Sequence, residues 1–138
     1  MVVMVMDGQG GGIGSVVIKA LRTAVKADVE ILALGTNSAA TARMMKAGAN
    51  RGATGENAIV QTSPKADVIM GPLAILMAHS MMGEVTPRMA EAISMSTAKK
   101  ILIPLTQEKI TLVGISVDPL PHLVEQAVRV VKELAGYV

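Results

Sequence analysis

The chain predicts an α/β domain, a Rossmann-like doubly wound and mostly parallel sheet, on three observations. Apolar runs alternate with segments of helical periodicity from one end to the other, and Val29 to Leu34 is nearly unbroken, as a strand covered on both faces should be. The opening run, Met1 to Met6, passes directly into Asp7-Gly8-Gln9-Gly10-Gly11-Gly12-Ile13-Gly14, and a helical pattern starts at Ser15. Right-handed crossovers between such units give the strand order 3-2-1-4-5, with a last antiparallel edge strand.

The first helix should lie on the sheet through Val16, Val17, Ala20, Leu21 and Ala24, with Lys19, Arg22, Thr23 and Lys26 on its outer side. Gly35-Thr36-Asn37-Ser38 ends the second strand and caps a helix over 38 to 47, closed by Gly48. An edge strand over Ala49 to Thr54 and a short helix capped by Gly55-Glu56-Asn57 preserve the alternation. Asp67 to Met70 reads as a buried strand, and Gly71-Pro72 starts a helix, apolar nearly all round from Leu73 to Met82, that is fully buried or part of a subunit contact. Thr86-Pro87 opens a helix to about Met95. Ile101 to Leu105 and Lys109 to Ile115 read as strands, and the short link Thr106-Gln107-Glu108 makes them an antiparallel hairpin. Pro119 and Pro121 precede a final helix buried through Leu123, Val124, Ala127, Val128, Val131 and Leu134.

The 138 residues suit one domain, 1 to 138, with a single core and no separate substrate domain. With no Phe or Trp and 11 Met, that core is aliphatic and thioether. The absence of cysteine excludes thiolate nucleophiles and zinc–thiolate clusters. A formal charge of +2, with basic residues scattered, implies no nucleic-acid groove. The apolar start lacks a basic leader, and Leu73 to Met82 has about half the length needed to span a bilayer, so the expectation is a cytoplasmic protein without a membrane span.

The carboxyl ends of parallel strands share one edge, so the turns at Asp7 to Gly14, Gly35 to Ser38, Thr54 to Asn57 and Gly71-Pro72 should converge there. Five glycines among residues 8 to 14 let backbone N–H groups approach an anion, and the first turn of the helix adds unsatisfied donors and its positive end. Asp7, Gly8, Gln9, Gly10, Gly11, Gly12, Ile13 and Gly14 are therefore candidates for phosphate. Thr36, Asn37 and Ser38 are candidates for a sugar, Gly71 is a further candidate for cofactor contact at the same edge, and Asn57 is one for the reactive or distinguishing part of the ligand. Glu56 and Glu84, in glycine-bounded loops, are candidate general bases, with Asn57 beside them; helix capping is the alternative for each carboxylate. Asp7 is the preferred acidic site residue or else a brace for the turn. His79 reads as a core or interface histidine, and His122 as a surface residue at a helix start. Two histidines far apart make metal ligation an unfavoured reading.

The spacing Gly8-x-x-x-Gly12-Ile13-Gly14 resembles the nucleotide turn of the short-chain dehydrogenase/reductases, with Asp7 where that family usually has Thr. The resemblance implies a pyrophosphate across the turn: Gly8 for the bend, Gly12 for close backbone approach, Gly14 for helix packing. The acid that holds the ribose of NAD at the end of the second strand is missing, and hydroxyls plus Arg43 could take a 2′-phosphate, which favours NADP over NAD. The Tyr-x-x-x-Lys pair of that family is absent, since the only tyrosine is Tyr137. No Gly-Lys-Ser/Thr follows the turn, which removes a P-loop hydrolase. Along the whole chain, Asp-Gly-Gln-Gly-Gly-Gly-Ile-Gly (7 to 14), Ala-Leu-Gly-Thr-Asn (33 to 37), Ala-Thr-Gly-Glu-Asn-Ala-Ile-Val (53 to 60) and Gly-Glu-Val-Thr-Pro (83 to 87) resemble a bacterial family of short proteins, the domain-of-unknown-function family numbered 3842. That resemblance implies the fold and a shared site, and no reaction.

Together these readings expect a small phosphate-bearing ligand, NADP or NAD or a similar nucleotide, bound as in a small oxidoreductase. The rival is a non-catalytic sensing module for a small anionic metabolite, and a third reading is a structural oligomer. A homo-oligomer is expected, a dimer favoured, because no second domain can close the pocket.

Overall fold

In the computed structural model, which describes residues 1–105, 108–116 and 118–137, five parallel strands form one sheet in the order β3-β2-β1-β4-β5. The strands are β1 (Val2–Asp7), β2 (Glu30–Gly35), β3 (Arg51–Thr54), β4 (Val68–Pro72) and β5 (Lys99–Ile103), and the helices are α1 (Gly12–Ala24), α2 (Ser38–Lys46), α3 (Glu56–Thr62), α4 (Pro87–Met95) and α5 (Leu120–Leu134). The predicted α/β class and the order 3-2-1-4-5 are both present.

Alternation along β1 divides the core in two. Val3 and Val5 join Val17, Leu21, Val124 and Val128 on the face covered by α1 and α5, while Met4 and Met6 join Ile59, Ile75, Met89 and Ile93 on the face covered by α3 and α4. All four β1 side chains are fully buried, which is why this strand reads as a continuous apolar run. Register fixes the working edge: Asp7 pairs with Gly35, and Gly35 with Thr54, so three strand ends stand side by side.

Two expected elements are replaced. The helix over Leu73 to Met82 does not form. A 3-10 turn spans Leu73–Leu76, and the chain then folds back through left-handed residues His79 (φ 68°), Met81 (56°) and Met82 (55°). The Ser80 hydroxyl donates to the Ala74 carbonyl at 2.6 Å and the His79 amide to the Val85 carbonyl at 2.7 Å, closing the loop on itself. An apolar run of this length without a polar face does not distinguish a helix from a compact turn.

The antiparallel edge strand is also absent. β5 is parallel to β4, and residues 109–115 form no strand; Ile110, Val113 and Ile115 are exposed and Gly114 is left-handed. Alternating apolar residues need a face to cover, and this segment has none. Thr106 and Gln107, in the expected hairpin link, lie outside the described residues. Smaller shifts matter for the site: α1 begins at Gly12 rather than Ser15, and Pro72 ends β4 instead of opening a helix. Among the described residues no helix is long and apolar enough to cross a membrane.

Candidate functional site

The glycine turn bridges the end of β1 and the start of α1, with Gln9 (φ 49°) and Gly11 (φ 71°) left-handed and the Gly11 amide donating to the Gly8 carbonyl at 2.9 Å. Asp7, only 4 % exposed, points back into the turn. Its Oδ1 accepts the Gly8 amide at 2.8 Å and its Oδ2 the Gly14 amide at 2.7 Å. Burial pushes the Asp7 carboxyl above its ordinary range and the nearby negative charge of Glu84 adds to the rise, while the amides of Gly14, Gly8 and Ile13 pull the other way.

A second carboxylate meets the turn from a distant part of the chain. Glu84, on the segment between β4 and α4, accepts through one oxygen, Oε1, from the Gln9 amide at 2.7 Å, the Thr36 hydroxyl at 2.6 Å and the Asn37 amide nitrogen at 2.8 Å. Partial burial favours its neutral form, but the bonds from Thr36, Gln9 and Asn37 outweigh that and hold its pKa below the usual value.

The turn is therefore not a row of bare amides. Those of Gly8 and Gly14 belong to Asp7, that of Gln9 to Glu84, and that of Gly11 to Gly8; only Gly10 and Gly12 have amides without an acceptor among the described residues. The glycines divide in the same way. A Cβ on Gly8 would lie 2.4 Å from Thr36 Oγ1, and one on Gly14 would lie 2.6 Å from Met44 Sδ and 2.9 Å from Asp7 Cβ. On Gly10 and Gly12 it would meet nothing nearer than Arg43 Nη1, at 3.8 and 3.6 Å, and neither glycine is left-handed. Gly8 and Gly14 are required by packing; Gly10 and Gly12 are not.

Gly10 and Gly12 line a cleft of about 680 Å³ at the carboxyl ends of β1 and β4. These are the neighbouring strands at which the order of the sheet reverses, the position where open α/β sheets bind ligands. Its other walls are Pro72 and Ala74, the folded-back residues His79, Met81 and Met82, and Leu105 with Glu108. Its size is that of an ordinary small-molecule site.

The remaining sequence candidates fall in different places. Thr36 and Asn37 reach the turn but are committed to Glu84, and Asn37 also caps α2 by accepting the Ala40 amide. Ser38 is exposed at the start of α2. Arg43 reaches the turn, where its Nη1 donates to the Gly10 carbonyl at 3.3 Å, beside the two open glycines. Glu56 starts α3 and pairs with Arg88 of α4 at 3.5 Å, and neither it nor exposed Asn57 lines the cleft. Gly71 packs edge to edge with β1, where a Cβ would be 2.3 Å from the Met6 carbonyl oxygen. His122 is exposed at the start of α5.

His79, Met81 and Glu108 are cleft residues that sequence reasoning did not assign to the site. His79, read from the sequence as a core or interface histidine on a helix, lies outside any helix and outside the core, exposed at the cleft wall. Glu108 accepts the Met81 amide at 3.1 Å. Left-handed backbone at His79, Met81, Met82 and Gly83 brings His79 and Met81 round, and no local pattern announces it. Among the described residues no cluster of three or more His, Asp or Glu is arranged to hold a metal ion.

The family model described as "Domain of unknown function (DUF3842)" matches residues 2–136, and the chain belongs to that family. No curated protein matches the sequence. Among solved structures, the chain is similar, with 14 % identity and a TM-score of 0.46 over 98 % of its length and 93 % of the other chain, to the dodecameric FMN-dependent Ubix-like decarboxylase from Escherichia coli O157:H7. At that distance neither ligand, activity nor assembly carries over.

Proposed function

We propose that this member of the DUF3842 family binds a phosphate-bearing nucleotide, with the phosphate on the amides of Gly10 and Gly12 beside Arg43 and the ligand running from there along the carboxyl edge of the sheet, one part of it in the cleft toward His79 and Glu108. One observation carries the reading. Gly10 and Gly12 cost the folded chain entropy yet are demanded by neither backbone conformation nor packing, and their amides, at the positive end of α1, have no acceptor among the described residues. Bare backbone facing a cleft at the strand-order reversal suits close approach by an anion. The guanidinium of Arg43, which donates to the Gly10 carbonyl, adds a positive charge beside these amides.

NAD and NADP both belong to this class, and the bond of Arg43 to the Gly10 carbonyl selects neither of them. The reading is one of binding. Glu84 is held ionised and Asp7 has both oxygens bonded, so neither matches a general base poised near neutral pH. A homo-oligomer that completes the cleft is part of the proposal, with exposed Met82 at its mouth as a contact residue.

The test is thermal unfolding with inorganic phosphate, AMP, FMN, NAD and NADP, together with mass spectrometry of any nucleotide released on denaturation. A nucleotide at about 100 times its Kd stabilises by about 2.7 kcal/mol, on the order of 10 °C in a chain of this size. Arg43→Ala and Gly12→Ala should each reduce the shift. No shift with any nucleotide and none released would refute the proposal.

A further inference from the structure

A nucleotide held by its phosphate also needs a partner for its sugar, and Rossmann-type sites provide an acid at the end of the second strand. Here that stretch is Gly35-Thr36-Asn37-Ser38 and holds no acid. A carboxylate is nevertheless present at that point in space. Glu84 arrives from the β4–α4 segment, and Thr36, Asn37 and the Gln9 amide fix it through Oε1 alone. Its second oxygen has no partner among the described residues, and the side chain is half-buried. The position is costly to reach, because three non-glycine residues just before it, His79, Met81 and Met82, adopt left-handed backbone. Backbone strain of this kind gathers at ligand sites.

We infer that Glu84 is a specificity-determining residue: its unpaired oxygen accepts the ribose hydroxyls of the bound nucleotide, which selects an unsubstituted ribose diol and disfavours a 2′-phosphate. This rests on the nucleotide reading given above. An ionised carboxylate only accepts hydrogen bonds, so a sugar that presents two adjacent donors suits it and a second anion at the same point is repelled. The bonds on Oε1 reinforce this by keeping Glu84 charged at neutral pH. Thr36 and Asn37 then serve the sugar indirectly, by orienting the acid that touches it.

The experiment is calorimetric titration of the native protein, Glu84→Gln and Glu84→Ala with AMP, 2′-deoxy-AMP and adenosine 2′,5′-bisphosphate, with circular dichroism confirming that each variant is folded. The native protein should bind AMP at least about tenfold more tightly than either analogue, as expected for loss of one hydrogen bond to a charged group. Glu84→Gln should narrow both gaps by weakening AMP and relieving the bisphosphate. If the native protein binds AMP and 2′-deoxy-AMP alike, the assignment of Glu84 falls while nucleotide binding stands. If Glu84→Ala binds AMP more tightly, Glu84 is a plug that ligand must displace, which also overturns the assignment. If none of the three binds, the nucleotide reading falls and this one with it.

Discussion

Replacing Gly12 with alanine should raise the stability of the ligand-free protein while weakening its ligand. Gly12 is the first residue of α1, is not left-handed, and its new Cβ would find Arg43 Nη1 at 3.6 Å, an ordinary contact with the end of a flexible, exposed side chain. What remains is the smaller conformational freedom of the unfolded chain, a gain of about 0.4–1 kcal/mol. Gly14→Ala is the control two residues away. Its Cβ would come within 2.6 Å of Met44 Sδ and 2.9 Å of Asp7 Cβ, and overpacking of that kind costs about 1–3 kcal/mol. The two variants should thus differ by about 1.4–4 kcal/mol, as the sum of those two ranges. Urea unfolding followed by far-ultraviolet circular dichroism measures this directly, and the absence of Trp makes that probe preferable to fluorescence. Were Gly12→Ala to lose as much stability as Gly14→Ala, glycine at 12 would be serving the protein's own packing and the case for a ligand there would collapse.

Further outcomes follow from the carboxylates. Glu84→Ala removes three hydrogen bonds to a partly solvated charge and should cost about 1–2 kcal/mol at pH 7. Because the folded pKa of Glu84 is lowered, its contribution is complete above the unfolded value near 4.5 and disappears as pH falls, so native and variant midpoints in urea should converge in acid. Asp7 behaves oppositely. Its raised pKa means that native stability falls as pH rises from the unfolded value, 3.8, through the folded one, and an NMR carboxyl titration of Glu84→Gln should show the Asp7 pKa moved down. Asp7→Ala leaves the Gly8 and Gly14 amides without acceptors and should cost about 1–3 kcal/mol for each, read by the same urea assay. Glu56→Gln, which breaks only the 3.5 Å pair with Arg88, should change stability by less than about 1 kcal/mol and leave the ligand-induced thermal shift intact.

The sheet was legible because its signals are local. Val29 to Leu34, Asn37 ahead of α2, and Thr86-Pro87 ahead of α4 each declare an element through burial, capping or a missing N–H, and the strand order follows from their succession. The site was legible only in part, since its location depends on strand ends while its electrostatics depend on what distant loops deliver. The reading of Asp7 as a brace for the turn agrees with its bonds to the Gly8 and Gly14 amides, whereas nothing near Gly8 reveals that Glu84 reaches Gln9. Leu73 to Met82 misled because an apolar run fits a buried helix and a folded-back loop equally well, and Lys109 to Ile115 because a short apolar, β-branched run reads as a strand whether or not a neighbouring strand pairs with it.

The bond between Gln9 and Glu84 spans 75 positions of sequence. It cannot close until β4 has docked beside β1, so a nascent chain released only as far as α3 carries the glycine turn without its acid. Binding competence should therefore emerge late in synthesis, in a single step, and a split protein divided after residue 65 should recover it only when both halves are mixed.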